Sequence, residues 1–80
     1  MPRGPRPPYL AVADALRERI EAGEWLPGEA LPSVTALSAE YGVSTSTAGR
    51  AIRVLADEGK VTTVKGWGVF VSETGAKGGR

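Results

Sequence analysis

Between Tyr9 and Ala22 the apolar residues Val12, Ala13, Leu16 and Ile20 recur at helical spacing, and Gly23 stands where a helix C-terminus wants a glycine. This predicts a first helix over residues 9–22. Glu24-Trp25-Leu26-Pro27-Gly28-Glu29 reads as a turn, because Pro-Gly punctuates strongly, and Ala30-Leu31 fits a very short strand ended by Pro32. Ser33 is placed to cap a short second helix from Val34 to Tyr41, with Val34, Leu37 and Tyr41 on one stripe and Gly42 at its end. Ser44 then caps a third helix from about Thr45 to Glu58. Its inward set is Ala48, Ala51, Ile52 and Leu55, and Gly59 closes it. The period changes after that. Val61-Thr62-Thr63-Val64 is rich in β-branched residues, Lys65-Gly66-Trp67-Gly68 turns the chain, and Val69-Phe70-Val71 returns it as a hairpin.

The pattern predicts an α+β fold: a winged helix-turn-helix, three helices followed by a two-strand β-hairpin wing. The tetrapeptide Tyr41-Gly42-Val43-Ser44 is short enough for a helix-turn-helix, with Val43 plugging the angle between the helices. Outside it, residues 1–8 (Pro, Arg and Gly around a Met) are expected to form a flexible basic arm. Residues 9–72 form the folded domain and 73–80 a flexible tail.

Composition narrows the chemistry. Eighty residues make one small domain, with no room expected for a separate effector-binding unit. Cysteine and histidine are both absent. That removes disulfides, most zinc sites and the usual general base, so neither a cofactor nor an enzyme is expected. No apolar run suits a signal peptide or a membrane span, which points to a soluble cytoplasmic protein. The net charge of +1 conceals an asymmetry: +2 over residues 1–8, −4 over 9–43 and +3 over 44–80. Such a distribution fits either a polyanion-facing surface or a solvated, salt-laced one.

In a helix-turn-helix the N-terminal turn of the second helix enters the major groove of duplex DNA. Here that turn is Ser44, Thr45, Ser46 and Thr47, whose hydroxyls suit phosphates or base edges. One turn on, Gly49, Arg50 and Arg53 lie off the apolar face. Gly49 costs a helix about 1 kcal/mol against alanine, so either another backbone comes close there or the glycine is simply tolerated. Arg50 and Arg53 suit phosphates, and a solvated role is the alternative, with Arg53 four residues before Asp57 for a weak helical pair. Lys65 and Gly66 at the hairpin tip suit the DNA backbone or minor groove. Trp67 has three readings: core packing, sugar contact or subunit contact. Trp25 reads as a core or dimer-contact residue. Arg3 and Arg6 read as a minor-groove arm or a solvated tail.

The run Gly23, Pro27-Gly28-Glu29, Leu31-Pro32-Ser33, then Leu37, Tyr41-Gly42-Val43-Ser44 and Thr47, then Ala51-Ile52, Leu55 and Glu58-Gly59, then Gly66, Gly68 and Phe70-Val71 resembles the N-terminal domain of GntR-type transcriptional regulators. The resemblance covers about Tyr9 to Val71. It implies a winged helix that binds double-stranded operator DNA as a homodimer, usually to repress transcription. It also implies DNA-facing positions at Ser33 and Thr35, at Ser44, Thr45, Ser46 and Thr47, at Gly49, and at Lys65 and Gly66 of the wing tip. Three of these depart from the family. Thr35, Thr45 and Gly49 stand where arginine is common, and arginine bidentate to guanine discriminates by about 1–3 kcal/mol. A protein-docking winged-helix module is therefore the alternative function.

Overall fold

The computed structural model describes residues 7–66 and 68–72. Expectations for the Arg3/Arg6 arm, for Trp67 and for the tail lie outside these residues. The element order is α1 (Pro8–Glu21), α2 (Val34–Tyr41), α3 (Thr45–Asp57), β1 (Val61–Val64) and β2 (Gly68–Val71).

Helix α1 begins at Pro8, one residue before the expected start. Proline suits the first helical position, where its missing N–H has no partner to lose. At the other end Gly23 N–H bonds Ile20 C=O and Glu24 N–H bonds Arg19 C=O, both at 3.0 Å, which satisfies two orphan carbonyls in a Schellman arrangement. Helix α3 stops the same way: Gly59 N–H bonds Ala56 C=O at 3.0 Å and Lys60 N–H bonds Leu55 C=O at 2.9 Å. It ends at Asp57, with Glu58 as its C-cap, one residue short of the expected end. The expected serine caps are present. Ser33 Oγ accepts from Ala36 N–H at 3.1 Å, and Ser44 Oγ accepts from Thr47 N–H at 3.0 Å.

The turn between α2 and α3 depends on Gly42, whose φ of 68° is left-handed. A side chain there would be strained even though space is open around it. Val43 is half-buried against the core, as the plug it was expected to be.

The wing is a two-stranded antiparallel hairpin with Val61 opposite Val71 and Val64 opposite Gly68. Gly68 thus belongs to the strand rather than the turn. The segment before α2 adds a third edge. Gly28 N–H bonds Val71 C=O at 2.9 Å, Leu31 N–H bonds Val69 C=O at 2.8 Å, and Ala30 bridges Phe70. The short Ala30-Leu31 strand therefore ties the α1–α2 linker to the wing.

The core is wholly apolar. Leu16, Leu37 and Leu55 are fully buried, one from each helix, and Leu31, Val61 and Val71 extend the cluster under the sheet. No polar or charged residue is buried among the described residues, so the core provides packing and no chemistry.

Candidate nucleic-acid interface

The four inward residues of α3 fix what its outer side shows. With Ala48, Ala51, Ile52 and Leu55 buried, the opposite stripe carries Ser46, Arg50, Arg53 and Asp57, all exposed. Thr45 and Gly49 lie on the flank toward the wing. Gly49, Ile52, Arg53, Ala56 and Asp57 line a groove of about 470 Å³ that Thr63 and Val69 of the hairpin close on the far side, over Val34. Arg50 lies on the opposite flank, where its guanidinium sits 4.2 Å from the ring centroid of Tyr9 in α1.

The hydroxyls at the start of α3 divide into two kinds. Ser44 is spent on structure, because its Oγ accepts from Thr47 N–H and donates to Thr47 Oγ1 at 3.0 Å. Thr47 is half-buried by the same contact, with its own hydroxyl proton still available. Thr45 and Ser46 are exposed, and their side chains bond no other described residue. Their backbone N–H groups are among the first of the helix, which have no intrahelical acceptor. An anion at this end would meet free donors and the positive end of the helix dipole. Ser33 likewise caps α2, and Thr35 is exposed beside it.

Gly49 needs no intramolecular explanation. A Cβ added there meets nothing within 4 Å, so no other part of the chain approaches closely. The Arg53–Asp57 pair, the alternative use of Arg53, is not formed: among the described residues neither side chain has a hydrogen bond or ion pair. Lys65 is exposed at the wing tip, next to Gly66 at a φ of 82°. The structure thus brings Thr45, Ser46, Gly49, Arg50 and Arg53 onto one face of α3. Thr35 lies on the neighbouring helix α2, and Lys65 and Gly66 are on the wing.

The ion pairs sort the cations. Arg17 holds Glu58 with two parallel bonds, Nε to Oε1 at 2.8 Å and Nη2 to Oε2 at 2.6 Å, and also bonds Asp14 at 2.7 Å. Arg19 binds Glu24 through Nε and Nη2. Its Nη1 reaches Glu40 at 3.1 Å and Tyr41 Oη at 2.7 Å, while its face lies 4.5 Å from the Trp25 centroid. Lys60 approaches Glu21 at 3.6 Å. Hydrogen bonds to these acids raise both guanidinium pKa values, and the arginines hold Glu58 and Glu24 below the usual carboxylate range. Among the described residues Arg50, Arg53 and Lys65 have no ion pair at all. The described residues therefore divide into an ion-paired side around α1 and a side along α3 and the wing where Arg50, Arg53 and Lys65, with Asp57 among them, are unpaired.

Sequence reasoning overlooked Tyr9 as a partner of Arg50 and Glu58 as a partner of Arg17. Each pair is separated by 41 residues, and nothing local signals it. Trp25, expected in the core or at a dimer contact, is half-buried against the core under Arg19. No cluster of three or more metal-type ligands occurs among the described residues, and none of their helices is long and apolar enough to cross a membrane.

Three helices with the second and third joined by a tight glycine turn, followed by an antiparallel hairpin beside the third, define a winged helix-turn-helix. Residues 8–71 match the family described as "Bacterial regulatory proteins, gntR family", and the chain belongs to it. It is 41% identical over 70 residues to the mannosyl-D-glycerate transport/metabolism system repressor MngR of Escherichia coli strain K12, covering 88% of this chain and 29% of that protein. It is 42% identical over 69 residues to the histidine utilization repressor of Klebsiella aerogenes, covering 86% and 29%. The chain thus spans less than a third of the length of these curated relatives. Among solved structures, the DNA-binding domain of AraR in complex with operator ORE1 superposes with a TM-score of 0.82 at 32% identity, covering 89% of this chain and 90% of that one. The N-terminal domain of AraR with a mutant ORR3 gives 0.83 at 31% identity, covering 88% and 100%.

Proposed function

We infer that this chain is the DNA-reading module of a sequence-specific bacterial transcriptional regulator of the repressor kind. Helix α3 lies in the major groove and the wing follows the backbone or minor groove. The observation that carries this reading is the charge sorting. Every described cation away from α3 and the wing tip is paired with an acid, whereas Arg50 and Arg53 on the outer stripe of α3 and Lys65 at the wing tip are unpaired. Operator-bound AraR domains of the same fold support it, as do the repressor names of the relatives. The cytoplasm, where the bacterial chromosome lies, is the location this function requires. The protein-docking alternative has no comparable observation behind it.

Each residue has a role in this reading. The Thr45 and Ser46 hydroxyls and N–H groups meet a phosphate or base edge at the groove, and Thr47 adds a donor beside them. Arg53 and Gly49 meet the DNA on the wing side of α3. Thr35 contacts the backbone from α2, and Lys65 with Gly66 contacts it from the wing. Ser33 and Ser44 act by capping the two helices. With threonine or glycine at three positions where family members commonly carry arginine, base discrimination is weaker than the family norm. A single module with so few cations binds nonspecific duplex at dissociation constants on the order of 10⁻⁴–10⁻⁶ M at physiological salt. Useful affinity then comes from two copies on adjacent half-sites.

The test is selection of genomic fragments by the purified chain, followed by fluorescence anisotropy on the selected duplex across a salt series. Affinity is expected to fall steeply with salt, and Arg53→Ala to flatten that fall. Salt-independent binding, or none, overturns the reading.

A further inference from the structure

Among the described residues two arginines lie over aromatic rings, and the contrast between them is informative. Arg19 lies over Trp25 with its N–H edge saturated by Glu24, Glu40 and Tyr41. Arg50 lies over Tyr9 at 4.2 Å, and no hydrogen bond or ion pair to a described residue occupies its edge. Stacking uses the face of a guanidinium and leaves its five in-plane N–H donors free. Arg19 is therefore a structural clamp, whereas Arg50 is a cation held in place with all its donors still to spend.

We propose that Tyr9 is a positioning residue for DNA binding: it stacks Arg50 on the α1 flank of α3 and presents the guanidinium edge to a phosphate on the wall of the major groove. This rests on the DNA-binding reading above and adds to it a residue outside both the helix-turn-helix and the wing. Phosphate is favoured over a base edge by placement. Ser46 occupies the outward axis of α3, with Arg53 leaning toward the wing and Arg50 toward α1, and the flanks of a helix lying in a groove meet the groove walls. The departure at Gly49 gains a partner in this arrangement. The arginine next to it, about 100° around the helix, is turned away from the wing and toward Tyr9. Anchorage on an aromatic face also reduces the rotamer freedom the arginine gives up on binding.

The experiment uses the 80-residue chain, the duplex it selects from genomic fragments, and a random-sequence duplex. Arg50→Ala is expected to weaken binding to both duplexes alike by roughly tenfold and to lower the salt slope by about 0.9, the signature of one phosphate contact. Tyr9→Leu is expected to weaken both by about threefold, Tyr9→Phe to leave binding unchanged, and Tyr9→Leu to add nothing in an Arg50→Ala background. In the free protein the Arg50 Nε–H resonance is expected upfield from ring current, and at its ordinary position in Tyr9→Leu. If Tyr9→Leu fails to fold, the wild-type Arg50 shift decides, and an unshifted resonance overturns the proposal. Equal binding by wild type and a folded Tyr9→Leu overturns it too, as does a loss in Arg50→Ala confined to the selected duplex. Absence of DNA binding by the wild-type chain overturns the underlying reading, which separates the two failures.

Discussion

Gly49 and Ser44 show how one residue is legible for its cost but not for its purpose. A glycine inside α3 is a helix weakness visible in the sequence, and the open space around it shows that the fold does not require it. Gly49→Ala is therefore expected to stabilise the chain by about 0.5–1 kcal/mol in urea denaturation. If DNA backbone passes close to that helix surface, the same variant binds more weakly while being more stable. Ser44 is the opposite case. Its Oγ both caps α3 and orders Thr47, so Ser44→Ala is expected to cost about 1 kcal/mol in the same measurement. A neutral result would show that its hydroxyl is not capping in solution.

Between elements, charge does the latching. Arg17 on α1 grips Glu58 at the end of α3, and Arg19 connects α1 to α2 through Glu40 and Tyr41. Both latches are partly exposed, so their contribution to stability is small and screened. Their pH dependence is nevertheless readable. The Arg17 hydrogen bonds lower the Glu58 pKa from its ordinary 4.5, so the unfolded chain binds more protons than the folded one as acid is added. The Glu58 contribution is thus complete above about pH 4.5 and fades as pH falls through the lowered value. The melting temperature is expected to drop on acidification through this range, and less so in Glu58→Gln. The slope does not vanish in that variant, because Arg19 holds Glu24 in the same way. Identical acid slopes for the two proteins would show that the latch is absent in solution. The helices themselves were predictable from spacing and caps. The partners of Arg17 and Arg50 were not, because each lies 41 positions away and no local periodicity links such distant residues.

For the molecule as a whole, stability rests on a small core with Leu16, Leu37 and Leu55 meeting at its centre, one from each helix. A domain of this size has little reserve, toward the low end of about 5–15 kcal/mol. Leu55→Ala is expected to remove about 2–5 kcal/mol and leave the chain largely unfolded at 37 °C by circular dichroism. A cooperative melt near that of the wild type would mean that the core relaxes into the gap. The sequence by itself determined the elements, the serine caps, the glycine stops, the inward face of α3 and the family. These follow from short-range periodicity and backbone preference, which act within a few residues. Only the tertiary structure decided which cations are free. Arg17, Arg19 and Lys60 are neutralised by acids that folding brings to them, while Arg50, Arg53 and Lys65 are left unpaired on one side. Charge pairing depends on distances between side chains on different elements, and those distances exist only once the helices pack.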